Sequence, residues 1–133
     1  MGSMIDKIAW LHLENGAVLC SRSKGKDAFY LPGGKREGTE SDLETLVREV
    51  REELSVEIDP ESAKLFGIFR AEAHGKAAGV IVRMSCYTAD YHGELHPDNE
   101  IEELAWFTTA DMERISAVDK LIFTALHDKG LLN

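Results

Sequence analysis

Apolar and polar residues alternate from Ile5 to Leu13, the period-two pattern of a strand with one buried face, and a second such run follows from Ala17 to Arg22. Asn15-Gly16 lies between them. Both residue types accept the positive φ of a tight hairpin, so the two runs are expected to pair. Ser23 to Asp27, containing Lys24-Gly25-Lys26, is a polar loop. Phe29-Tyr30-Leu31 predicts a short strand closed by Pro32-Gly33-Gly34, where glycines let backbone approach another group closely.

The period then changes. Leu43, Leu46, Val47, Val50 and Leu54 recur at i, i+3, i+4, i+7 and i+11, one face of a helix. Thr39-x-x-Asp42 and Ser41-x-x-Glu44 both offer a start, and the second is a capping box, so the helix is expected over Asp42 to Leu54. Glu49, Glu52 and Glu53 fall within about 100° of arc beside the apolar face, at the boundary of core and solvent. Ile58-Asp59-Pro60-Glu61 breaks the pattern with a turn. Lys64 to His74 and Gly79 to Tyr91 read as two long strands joined by a tight loop at 75–78, the second placing Val80, Val82, Met84, Cys86 and Thr88 on one side. An acidic loop from His92 to Glu100 precedes a short strand near Leu104 to Phe107 and a helical turn around Asp111 to Arg114. The last helix starts behind Ser116-x-x-Asp119, is expected to bury Val118, Leu121, Ile122, Ala125 and Leu126, and stops at Gly130. Strands on both sides of one helix, with another helix at the end, predict a mixed sheet between helices, an α/β (α+β) fold.

Composition narrows the class. The 133 residues suit one domain, expected over 4–133, with Met1-Gly2-Ser3 reading as the remnant of an expression tag. No apolar run approaches the roughly 20 residues of a membrane helix, so a soluble, cytoplasmic protein is the expectation. The formal charge of −9, from 24 acidic and 15 basic residues, disfavours a surface that holds long nucleic acid. It is compatible with a small nucleotide, because a divalent metal reverses the local sign of an acidic site. Cys20 and Cys86 lie far apart in apolar, strand-like runs and read as buried reduced thiols.

Three glutamates at i, i+3 and i+4 put about three negative charges in one helical turn. Unbound, they repel one another. A hard cation such as Mg²⁺, which prefers oxygen ligands, would turn that repulsion into attraction and could bridge phosphate oxygens. The helix by itself is equally well explained as a solvated acidic face.

The wider spacing, Gly34-x5-Glu40-x7-Arg48-Glu49-Val50-x-Glu52-Glu53, resembles the signature of the Nudix hydrolases position by position, and Pro32-Gly33-Gly34-Lys35 with Glu37 is similar to their usual opening. Six fixed positions would coincide by chance on the order of once in 10⁵ chains. The surroundings match as well: a hairpin before, long strands after, and Glu100-Ile101-Glu102-Glu103-Leu104-Ala105-Trp106-Phe107 at the close. The resemblance implies a Nudix-type α/β/α sandwich and a pyrophosphohydrolase using Mg²⁺, with Mn²⁺ as an alternative. It implies Glu52 and Glu53 as principal metal ligands, Glu49 as a further ligand or base, and the Gly34 carbonyl completing the shell. Arg48 and Glu40 would organise the carboxylates. Glu100 is the expected later-loop glutamate, with Glu94, Glu102 and Glu103 competing. Arg22, Tyr30 and Lys35 are the candidate substrate contacts.

Two positions depart from the family pattern. Ser55 stands where a glycine is expected after the paired glutamates, and the glycine of the preceding loop is shifted by one in Glu37-Gly38-Thr39-Glu40. The substrate implied is a nucleoside diphosphate linked to another group. The proline associated with ADP-ribose and the Ser-Gln-Pro-Trp string of NADH pyrophosphatases are missing, and His74 stands where some dinucleoside polyphosphate hydrolases carry tyrosine. A nucleoside triphosphate is favoured by elimination. A nucleotide sensor without turnover and an RNA 5′-end pyrophosphohydrolase are the alternatives, and a homodimer is compatible with any of them.

Overall fold

The computed structural model describes residues 3–73 and 79–133; His74 and the tight loop expected at 75–78 lie outside them. At the centre is β1 (Met4–Trp10), parallel to β7 (Ile81–Thr88) on one side and antiparallel to β4 (Gly33–Lys35) on the other. β6 (Lys64–Glu72) adds antiparallel to β7, giving a mixed sheet of order β4-β1-β7-β6. A second, antiparallel sheet holds β2 (Leu13–Glu14), β3 (Ala17–Ser23) and β9 (Ile101–Phe107), and β5 (Glu57–Ile58) pairs with β8 (Tyr91–His92).

Successive side chains of β1 point to opposite faces, and each face has its own helix. Ile8 and Trp10 pack with Leu46, Val50 and Leu54 of α1 (Asp42–Leu54), while Ala9 shares a core with Val118, Ile122 and Leu126 of α2 (Ala117–Asp128). Leu46, Val50 and Leu54 are fully buried, each contributing about 1.5–3 kcal/mol of hydrophobic stabilisation. This is the expected mixed sheet between helices. Cys20 and Cys86 are free and buried in the α2-side core.

Several expected boundaries move, each for a hydrogen-bonding or geometric reason. The run from Ile5 to Leu13 divides between the two sheets: Leu11 N–H donates to Tyr87 O, and Leu13 already pairs with Val18. Phe29 to Leu31 is not a strand. Leu31 N–H donates to the Asp119 carboxylate, Pro32 has no N–H, and only single bridges join Tyr30 to Ser21 and Phe29 to Ile115. The strand is instead Gly33–Lys35, on the glycines themselves. Gly79 to Tyr91 shortens to β7, because Tyr91 leaves to pair with Ile58; the last strand lengthens, starting at Ile101. The helical turn extends over Thr109–Arg114. Leu121 is exposed rather than buried, since at 100° per residue it lies about 130° from the centre of the buried arc, which runs from Val118 through Ile122 and Leu126 to Phe123.

Candidate active site

The site is built outward from the start of α1. Ser41 is its N-cap: the hydroxyl accepts from Glu44 N–H at 3.1 Å, and the Glu44 carboxylate accepts from Ser41 N–H at 2.8 Å. With both donors satisfied the helix begins at a fixed residue, which fixes the direction of Arg48 two turns on.

Arg48 is the hub. Its Nε and Nη2 donate to the two oxygens of Glu40 at 2.7 and 3.0 Å, Nη2 also to Lys35 O at 3.1 Å, and Nη1 to Glu49 Oε1 at 3.0 Å. Glu40 accepts in addition from Thr45 Oγ1 and Glu37 N–H. The Arg48 hydrogen bonds, more than any other cause, hold the Glu40 carboxyl down at about 2. A guanidinium can do this because its fork of donors spans loop, strand and helix at once.

Glu53 and Glu49 meet beside β4. Glu53 is only 6% exposed, and its Oε1 accepts from Gly33 N–H at 3.4 Å. Burial pushes its carboxyl well above the usual carboxylate range, and the charge of Glu49 and that of Glu100 add to the effect. Burial also raises Glu49, against the pull of Arg48. With Glu53 buried and Glu49 half-buried beside it, the pair favours a proton or a cation between the two carboxyls. Gly34 sits beneath: a Cβ there would collide with the Glu49 carboxylate. A side chain at 34 would therefore have to push the Glu49 carboxylate aside.

The C-terminal end of α1 is closed by the acidic loop. His96 N–H donates to Leu54 O, Asp98 N–H to Glu53 O, and the Asn99 amide to Glu52 O, satisfying carbonyls that a helix end leaves without partners. Ser55 adopts the left-handed conformation, φ 62°, that glycine usually supplies, and its hydroxyl bonds Asp98 at 3.2 Å. Anchored this way, the loop delivers Glu100 to the cavity.

That cavity measures about 1160 Å³ and is lined by Gly34, Lys35, Glu37, Glu49, Glu53 and Glu100 together with Tyr30, Lys7 and an apolar wall of Ile5, Val82, Met84 and Val118. Other expected positions fall elsewhere. Glu52 is half-exposed and lies 3.5 Å from Arg48 Nη1. Arg22 does not line the cavity: it is ion-paired to Glu102 at 3.4 Å and Glu103 at 3.1 Å. Lys7 and Asp119 are cavity-side charges that periodicity did not single out, because each reads as an ordinary polar position in its element.

A NUDIX domain model matches residues 7–126. The chain belongs to the Nudix family. It is a hydrolase of the class that acts on diphosphate bonds. Solved structures agree in fold. The solution structure of the E. coli ORF135 protein superposes with a TM-score of 0.76 at 25% identity, covering 96% of this chain and 91% of that one. A MutT NUDIX hydrolase from Burkholderia pseudomallei gives 0.75 at 19% identity, with 93% and 98% covered. The MutT protein of Bacillus halodurans gives 0.69 at 26% identity, with 90% and 80% covered. No curated protein sequence matches the chain.

Nudix hydrolases generally use divalent metals. The donors here suit one: all are oxygens, the buried Glu53 lies beside the half-buried Glu49, and the bare backbone of Gly34 lets the Glu49 carboxylate lie against it. Among the described residues no three acidic, histidine or cysteine side chains are already gathered as a metal cage, consistent with Glu52 lying toward Arg48. No helix among the described residues is long and apolar enough to cross a membrane.

Proposed function

We propose that the chain hydrolyses the diphosphate linkage of a nucleoside triphosphate with Mg²⁺, or Mn²⁺ in its place, held by Glu49, Glu53, the Gly34 carbonyl and Glu52. The observation that carries this reading is the Glu49–Glu53 pair against Gly34, one carboxyl buried and the other half-buried, whose repulsion a cation or a proton relieves. The bound metal would neutralise phosphate charge and acidify water. The protein's own part is positioning. Arg48 and Glu40 fix the carboxylates; Glu100 and Glu49 face the cavity as acceptors for the proton of an attacking water; Lys35 offers a cation to the phosphates; Tyr30 and the apolar wall accommodate a base. Arg22, engaged by Glu102 and Glu103, would reach substrate only by exchanging those partners.

A nucleotide sensor is the second reading, and the outward position of Glu52 favours it. Both are tested by screening nucleoside triphosphates, nucleotide sugars, dinucleoside polyphosphates and 5′-triphosphate RNA with Mg²⁺ and Mn²⁺, comparing wild type with Glu53→Gln. Turnover of triphosphates that drops at least about 10³-fold in the variant is the expected result. Binding without turnover would establish the sensor, and turnover of the RNA alone would replace the substrate.

A further inference from the structure

Lys7 is a cavity cation with no evident task in the hydrolytic site. Lys7 lies on β1 opposite Met84, and Ile5, two residues before it on the same face, lies opposite Val82. All four side chains line the cavity, and Lys7 pairs on its other side with Lys35 of β4, so the ammonium stands between an apolar wall and a second cation. Among the described residues it has no hydrogen-bond or ion-pair partner. Its recorded contact is with the face of Tyr30, 5.8 Å from the ring centre. Burial lowers its pKa, and the charge of Asp119 is the main influence in the opposite direction. Asp119 is fully buried behind the wall; its Oδ2 accepts from Leu31 N–H at 3.3 Å, while Oδ1 has no partner among the described residues.

An ammonium in such a wall needs an acceptor, and the protein withholds one. A phosphate is met by Lys35 and Gly34 on the neighbouring β4, which leaves the side of Lys7 toward Ile5, Val82 and Met84 for a less charged group. A planar group fits: an aromatic ring, Tyr30, on one side, aliphatic side chains around it, and a single strong donor in the wall. Resting on the nucleotide reading above, we infer that Lys7 is a specificity-determining residue that donates a hydrogen bond to a carbonyl oxygen of the nucleobase. Guanine, cytosine and thymine carry such a carbonyl; adenine is the one standard DNA base without it. Adenine offers that donor only a ring nitrogen, so the cavity is expected to favour the three carbonyl bases.

The test is steady-state hydrolysis of dATP, dGTP, dCTP and dTTP with Mg²⁺ by wild type, Lys7→Met and Lys7→Gln, alongside calorimetric binding of the same four nucleotides. Wild type is expected to favour the three carbonyl bases over dATP by about 10-fold or more. Lys7→Met raises KM for those three by about 10- to 100-fold, leaves dATP within about 3-fold, and so collapses the preference; Lys7→Gln, which keeps a donor, retains part of it. An equal loss for all four nucleotides would show a phosphate contact or a structural role, and no loss would show that Lys7 touches nothing; either overturns the inference while leaving the hydrolase reading intact. If no dNTP is hydrolysed, the triphosphate reading fails, and the same base ranking in the binding data decides Lys7 separately: equal affinities in wild type and Lys7→Met overturn it.

Discussion

Asp119 has no exposed surface and lies close to the start of α2, where Ser116 caps its N–H. Burial lifts its carboxyl from the ordinary 3.8 to about 6, against the pull of the Leu31 N–H and of Lys7. A folded value above the unfolded one means that the folded chain holds a proton through this window while the unfolded chain has released it. Stability from this group is thus full below about pH 4 and declines as pH rises to about 6. Asp119→Asn is expected to remove the decline, leaving stability unchanged near pH 4 and raising it by about 1–3 kcal/mol at pH 7.5. Denaturant melts of both proteins at the two pH values check it; an equal effect at both would show that ionisation is not the cause. The residue itself was visible in the sequence only as part of the Ser116-x-x-Asp119 helix start. Its burial depends on Leu31, 88 positions away, which no local pattern reports.

Arg48 shows what one side chain does for an element. It joins the loop at Glu40, the carbonyl of Lys35 on β4, and Glu49 on α1. Lysine would keep the charge but could meet one of these partners at a time. Arg48→Lys is expected to lower kcat about 10- to 100-fold with KM changed less than about 3-fold, because it loosens Glu49 rather than removing a substrate contact. Kinetics on the best nucleotide substrate test this, and a change confined to KM would place Arg48 at the substrate instead. The other end of α1 carries the departure from the family pattern. Ser55 accepts a left-handed conformation that costs roughly 1 kcal/mol, and its bond to Asp98 offsets part of that cost while fastening the loop that bears Glu100.

Across the whole molecule, the Glu49–Glu53 pair makes stability depend on what binds. Without a cation, the fold must hold a proton there or endure the repulsion. Mg²⁺ at about 100 times its dissociation constant should stabilise wild type by about 2.7 kcal/mol, reversibly on chelation. Glu53→Gln, which relieves the repulsion covalently, should melt higher than wild type in chelator by about 3–10 °C and gain much less from Mg²⁺. Thermal melts of both proteins with and without the ion measure this. A variant that melts lower in chelator would mean that Glu53 is well accommodated in the fold without a metal.

Much of this protein was legible in the order of its residues, because the features concerned are local. The capping box at Ser41, the apolar stripe of α1, the Asn15-Gly16 hairpin and the spacing from Gly34 to Glu53 need only neighbours a few positions apart. Periodicity fixes which side of an element faces the core, and it did so for Val82, Met84 and Cys86. It could not fix where the chain changes partners, as at Leu11 and Tyr91, since backbone hydrogen bonding there depends on strands distant in sequence. Nor could it assign the charges. Arg22, Lys7 and Asp119 all read as polar positions, and only the tertiary structure gave Arg22 to two glutamates, set Lys7 beside an apolar wall and sealed Asp119 from solvent, whereas Glu52 meets Arg48 by the local i,i+4 spacing of α1. A charge is defined by its surroundings, and those surroundings come from segments that meet only when the chain folds.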